Sequence, residues 1–221
     1  MARNGRAKAS RRQTPLSPRE KLLRFGRRYR NLILGAGALA GMVAAVLVFA
    51  NPFGPATAVD AMGRTVRAGP VDSPGAAPRA GHEAPNFLLP DYDGRALRLD
   101  DFRGKVVFLN FWATWCTVCE SEMPDMQRLA KQYQDDLVVL AVNRGESAGR
   151  AQDWSDKRGL QDLVFAVDER ESVARAYKLG SGMPQSYFID KDGIITRVIS
   201  GGQSFATMEK NLREALTAPA Q

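Results

Sequence analysis

Lys105-Val106-Val107-Phe108-Leu109-Asn110-Phe111-Trp112-Ala113-Thr114-Trp115-Cys116-Thr117-Val118-Cys119 is the stretch on which the fold turns. Residues 105–112 form a nearly unbroken run of strand-forming types, as expected for a central strand covered on both faces. This strand delivers the chain directly to Cys116 and Cys119. Beyond them Met123, Met126, Leu129, Ala130 and Tyr133 recur at helical spacing, predicting a helix from Cys116 to about Tyr133 that Pro124 should kink. The local geometry is therefore strand, turn, helix, with a C-x-x-C at the helix start.

Those are the chain's only two cysteines. A helix N-terminus offers free N–H groups and the positive end of the dipole, and both favour thiolate over thiol at Cys116. One turn on, Cys119 is within reach of the Cys116 sulfur, so a mixed disulfide with a substrate can be resolved from inside the protein. A permanent structural disulfide is the competing reading. A two-residue spacer closes so short a loop that such a bond would stabilise little. Structural zinc wants four ligands, and the one histidine, His82, lies far upstream, so no metal and no cofactor are predicted. Transient Cu(I) binding by the two thiolates is the remaining metal chemistry.

Outward from the centre, Phe87-Leu88-Leu89, the turn at Asp91–Gly94 and alternating Leu97 and Leu99 predict an N-terminal β-hairpin. Downstream, Leu137–Val142 and Val164–Val167 read as strands and Ala148–Arg158 and Ser172–Lys178 as helices. This alternation predicts an α/β fold with parallel pairing. Gln185–Asp190 and Ile194–Ser200 around Lys191-Asp192-Gly193 predict an antiparallel hairpin, and Phe205–Leu216 a closing amphipathic helix. A central mixed sheet flanked by helices follows.

The N-terminal quarter is of another kind. Residues 1–30 hold eleven Lys and Arg against one acid, whereas residues 51–221 hold 20 bases and 23 acids. The high pI thus belongs to the tail, and nucleic acid is not an expected partner. Leu32–Ala50 carries no charged side chain and is long enough to cross a bilayer, with the bases ahead of it holding the N-terminus inside. The predicted organisation is a basic cytoplasmic tail (1–31), a transmembrane anchor (32–50), a flexible Pro/Gly/Ala-rich linker (51–81) and an extracytoplasmic domain (82–221). A cleaved signal peptide, with Ala56-Thr57-Ala58 as its small-x-small site, is the rival to the anchor. Gly37 and Gly41 form a G-x-x-x-G, which predicts a weak homodimer through the membrane helix.

The block Asn110–Cys119, with Pro124 five residues after Cys119, resembles the active-site block of the thioredoxin superfamily. Within it, residues from about Ala84 to Leu216 are similar to the membrane-anchored TlpA/ResA-type thiol-disulfide oxidoreductases of the redoxin (AhpC/TSA-like) group, linked to cytochrome c and cytochrome oxidase biogenesis. The resemblance implies a thioredoxin-like fold. Gly182–Asp190 resembles the family's cis-proline segment, implying a cis bond before Pro184 and a Met183 backbone that pairs with an extended substrate, with Trp115 lining the same surface. Cytoplasmic thioredoxins keep a buried carboxylate six residues before the first cysteine, where this chain has Asn110. Glu122 occupies the position of the glutamate in the cytochrome-biogenesis relatives, which implies a part in thiol pKa and proton transfer. The chain departs from many relatives at Val118, where they carry proline. Val142–Ser147 also resembles those relatives at a strand end, with no chemistry assigned.

Together these readings predict an extracytoplasmic reductase of protein disulfides. By resemblance its substrates are apocytochrome c or a copper-site assembly protein, and a membrane thiol carrier supplies electrons. Catalysis falls to Cys116, Cys119 and Glu122, with Trp115, Met183 and Pro184 at the substrate. A disulfide-forming oxidase shares all of this chemistry. A thiol peroxidase would want an activating threonine or serine three residues before its cysteine, where Ala113 stands before Cys116. A Cu(I) chaperone would pair the cysteines with a later histidine, and none follows His82.

Overall fold

A computed structural model describes residues 56–219. Its centre is a five-stranded sheet of order Ile195–Ser200, Gln185–Ile189, Val106–Trp112, Leu137–Arg144, Val164–Asp168. Strand β6 (Val106–Trp112) runs parallel to β7 (Leu137–Arg144), which runs parallel to β8 (Val164–Asp168). On its other edge β6 pairs antiparallel with β9 (Gln185–Ile189), which turns through Lys191-Asp192-Gly193 into β10 (Ile195–Ser200). Gly193 has φ +83°, a left-handed conformation that favours glycine.

All seven residues of β6 are buried. A strand's side chains alternate between faces, and here each face meets its own core. Val106, Phe108 and Trp112 join Met123, Met126 and Leu129 of α1 (Thr117–Gln132) and Met208 and Leu212 of α4 (Phe205–Leu216). Ala151 of α2 (Ala148–Asp156) closes that layer. Val107, Leu109 and Phe111 instead pack with Phe87 and Leu89 of β4 (Phe87–Pro90) and with Val173 of α3 (Ser172–Ala176) and Tyr177. Strand β4 pairs antiparallel with β5 (Ala96–Arg98), the expected N-terminal hairpin. Pro124 lies inside α1, where it leaves the Glu120 carbonyl without its i+4 donor.

One boundary differs from expectation. The stretch 51–81 reads as a linker, yet within its described part β1 (Thr57–Val59) pairs with β2 (Thr65–Arg67), and β3 (Gly69–Pro70) adds to β4. Composition misleads here because these strands are two or three residues long and are held by backbone hydrogen bonds that need no apolar repeat. Val59 N–H donates to the Gly94 carbonyl at 2.8 Å and Val71 N–H to that of Asn86 at 2.9 Å, while Ala58 is buried. The expected tail (1–31) and anchor (32–50) lie outside the described residues. Among the described residues no helix is long and apolar enough to cross a membrane.

Amide hydrogen exchange tests this boundary. Val59 and Val71 are expected to exchange well below unstructured-chain rates, and unprotected amides at both positions would return 56–71 to a linker.

Candidate active site

The sulfur pair sits where β6 ends and α1 begins. The turn Ala113–Cys116 closes through the Cys116 N–H and the Ala113 carbonyl at 3.1 Å, and Cys116 is the N-cap of α1. Its sulfur accepts the Cys119 N–H at 3.1 Å, so one orphan donor of the helix start points at the Cys116 sulfur. The two cysteines form a disulfide with Cα atoms 5.2 Å apart. Their surroundings are unequal: Cys116 retains 6% exposure and Cys119 none. Trp115, 62% exposed, and Val118 stand beside them on the surface, whereas Trp112 is buried.

The strand parity that sends Phe108 and Trp112 towards α1 sends Asn110 the same way. Its Nδ2 donates to Glu122 Oε1 at 3.2 Å and to Ser186 Oγ of β9 at 3.0 Å. Glu122 is 3% exposed, and its other oxygen, Oε2, accepts the Gln203 backbone N–H at 3.0 Å. Burial pushes its pKa from 4.5 up to about 7, against the opposing pull of the Gln203 and Asn110 hydrogen bonds. The neighbouring Glu120 behaves otherwise: it lies at the surface and pairs with Arg158 at 2.7 Å. Of the two acids the sequence places after Cys119, only Glu122 belongs to the interior.

Met183 packs against the core cluster that contains both cysteines, and the Met183–Pro184 peptide is cis. The Pro184 carbonyl accepts the Gly201 N–H at 2.9 Å, which joins this segment to the loop that reaches Glu122. Trp115, Cys116, Cys119, Glu122, Met183 and Pro184 therefore converge on one end of the sheet. His82 lies elsewhere, beside Arg79 and the Ala80 carbonyl.

Sequence reasoning missed Glu146. Its side chain, 7% exposed, accepts the Thr114 N–H at 2.7 Å, the Thr114 hydroxyl at 2.6 Å and Asn143 Nδ2 at 2.9 Å, and pairs with Arg150 at 3.0 Å. Burial raises its pKa, but those hydrogen bonds and the Arg150 charge outweigh it and hold the carboxyl below the usual range. Glu146 thus anchors the turn two residues before Cys116. A signal for it exists in the topology, since β6 and β7 are parallel neighbours and Trp112 pairs with Asn143, so their C-terminal loops emerge together.

A C-x-x-C at the helix start beside the central strand of a thioredoxin-like sheet defines the class of thiol-disulfide oxidoreductases. The AhpC/TSA family profile matches residues 80–198. The thiol-disulfide oxidoreductase ResA of Geobacillus thermodenitrificans is 41% identical over 133 residues, covering 60% of this chain and 75% of that one. Among solved structures, one from Chlorobium tepidum assigned as thiol:disulfide interchange protein DsbE superposes with a TM-score of 0.58 at 30% identity, over 62% of this chain and 97% of its own. The exposed lipoprotein thioredoxin Etrx1 of Streptococcus pneumoniae gives 0.51 at 32% identity, over 58% and 98%. The chain belongs to the AhpC/TSA family, among its thiol-disulfide oxidoreductases.

The raised pKa of Glu122 carries a sign. The folded domain holds this proton up to about pH 7, whereas an unfolded chain releases it near 4.5. The contribution to stability is therefore full below about pH 4.5 and is lost as pH rises through about 7. Glu122→Gln, neutral throughout, is expected to gain on wild type by roughly 3 kcal/mol between those pH values. Urea denaturation of the oxidised protein at each pH measures it, and a pH-independent difference would mean that the folded carboxyl titrates normally.

Proposed function

We propose that this protein is a reductase of protein disulfides that works outside the cytoplasmic membrane, with Cys116 as the attacking thiol. The observation that carries this order is the unequal burial of the pair: Cys116 keeps an open edge at the helix N-cap and Cys119 has none. A nucleophile must meet its partner, whereas a resolving thiol needs only to reach its neighbour.

In the first step the Cys116 thiolate attacks one sulfur of the substrate disulfide. A Cys116–substrate bond forms, the substrate S–S bond breaks, and the second substrate sulfur leaves as a thiolate. In the next step the Cys119 thiolate attacks the Cys116 sulfur, releasing the first substrate sulfur and leaving the Cys116–Cys119 disulfide. Two electrons pass to the substrate, whose thiolates take up protons. Glu122, with a pKa near neutrality, takes the Cys119 proton as that thiol attacks and passes it to the departing substrate thiolate, while the other thiolate takes its proton from solvent. An extended substrate segment docks on the Met183 backbone beside cis-Pro184, with Trp115 at its rim.

The placement outside the membrane is supported by the eleven bases ahead of the apolar run 32–50. The likeness to ResA and DsbE supports a role in cytochrome c or cytochrome oxidase biogenesis. The substrates are then the oxidised cysteines of apocytochrome c or of a copper-site assembly protein, and a membrane thiol carrier re-reduces the pair.

Cys116→Ser is expected to abolish turnover, and Cys119→Ser to accumulate a mixed disulfide visible on non-reducing gels. Absence of a trapped species would reverse the order of attack. Equilibration against glutathione or dithiothreitol is expected to place the potential near or below about −250 mV, whereas a value near about −120 mV would make the protein a disulfide donor.

A further inference from the structure

The loop between β10 and α4, Gly201-Gly202-Gln203, touches three parts of the site. Gly201 N–H donates to the Pro184 carbonyl at 2.9 Å, and Gln203 N–H donates to Glu122 Oε2 at 3.0 Å. Gln203 is held from the other side as well, where its Oε1 accepts Asn211 Nδ2 of α4 at 3.2 Å. Between these contacts lies Gly202. Its φ is not among the positive values, so an L side chain is allowed by the backbone there. Space forbids it instead: a Cβ on Gly202 would stand 2.6 Å from Val118 Cγ1 and 3.7 Å from Glu122 Oε2. Carbon atoms in good contact stay about 3.5–4.0 Å apart, so either Val118 or the loop would have to yield by about 1 Å.

Val118 is the residue between the two cysteines that faces this loop. It is 44% exposed, so bulk around it does not hold it in place. Its own branching does: it occupies the second position of α1, and a β-branched side chain in a helix has one strongly preferred χ1. The loop, tied to its neighbours by single hydrogen bonds, is the softer partner.

We propose that Gly202 and Val118 are matched positioning residues: the missing side chain at 202 seats the residue between the cysteines, and this seat holds the Gln203 amide on the Glu122 carboxylate. The inference rests on the reading of Glu122 as the proton-handling group. Its consequence is that the variable residue of this C-x-x-C acts on the carboxylate as well as on the two thiols. The pair also accounts for a departure from many relatives, since Val118 stands where they carry proline and is the side chain that fills the space above Gly202.

The groups that face Glu122 are Asn110 from β6, Gly202 and the Gln203 amide from the loop, and Val118 and Cys119 four and three residues earlier on its own helix. Among the described residues no charge contributes to its shift, so the hydrogen bonds from Gln203 and Asn110 are what oppose burial. Displacing the Gln203 amide removes a donor to the charged form, and the proton is then held to higher pH.

The test is the pH dependence of Cys116 alkylation in the reduced chain, residues 1–221, in detergent. Wild type is expected to show an inflection near pH 7 that Glu122→Gln lacks. Gly202→Ala is expected to move it up by about one pH unit, the scale of one hydrogen bond to a charged group. Adding Val118→Ala to Gly202→Ala is expected to bring it back, because the clashing methyl is gone. Gly149→Ala in α2, where a Cβ meets nothing within 4 Å, should leave it in place. Should Gly202→Ala not fold, Val118→Ile lengthens the same contact and is expected to shift the inflection upward. An inflection unmoved by the clash, or moved but not restored by Val118→Ala, overturns the seat while leaving Glu122 in its role. An inflection that persists in Glu122→Gln overturns the role of Glu122 and the seat with it.

Discussion

Strand β6 is covered on both faces, and that constraint organises everything around it. With no side of the strand in water, each of residues 106–112 must find a partner, and parity decides which core supplies it. Val107, Leu109 and Phe111 are satisfied by the N-terminal hairpin and α3, and Val106, Phe108 and Trp112 by the helices opposite. Asn110 shares the second parity and is polar, so the helix opposite and the neighbouring strand β9 must provide hydrogen-bonding groups in the middle of an apolar face. Glu122 and Ser186 are those groups. A carboxyl is thereby brought to the interior one turn after the second cysteine, by the same alternation that builds the core.

The parts legible in the sequence are those where one periodicity runs long enough to speak alone. The run 105–112, the helical spacing after Cys119 and the closing helix 205–216 each needed only their own residues, and the last agrees with α4 at both ends. The hairpins were legible because turn chemistry marks them at Asp91–Gly94 and Lys191–Gly193. Strands β1 to β3 were not, since two or three residues of backbone pairing leave no pattern in side chains. In the site, the cysteine pair was legible from spacing and position. The difference between Glu120 and Glu122 was not, because both lie in the first turns of α1 and only the packing of β6 and the 201–203 loop separates them. Glu146 and Gly202 act through contacts with residues 32 and 84 positions away, Thr114 and Val118. No local pattern encodes such contacts.

Glu146 and Glu122, both near the disulfide, show how environment divides one kind of side chain into two kinds of behaviour. Glu146 accepts three hydrogen bonds and forms an ion pair with the cation Arg150, so its charge is satisfied where it sits. It is a fixed acceptor suited to holding the Thr114 turn in place. Glu122 receives two neutral donors and, among the described residues, no cation, and burial outweighs them. The first arrangement stabilises an anion, and the second leaves protonated and ionised forms close in free energy at neutral pH.

That closeness is what proton transfer near a thiol requires. A carboxyl held far below neutrality could not take a proton from Cys119, and one far above could not release it, so efficiency is greatest when the group's pKa lies near the working pH. A counter-ion beside Glu122 would have pulled it into the first class. The amide at Asn110 orients the carboxylate through Nδ2 without adding charge, and its Oδ1, buried and without a partner among the described residues, remains an acceptor on the same side chain. Rotation of that amide would present an acceptor in place of a donor, which suits a protonated Glu122 as the observed orientation suits an ionised one. A neutral, two-sided side chain six residues before Cys116 is therefore compatible with both states of the acid it touches, which an ionised carboxylate in that place would not be.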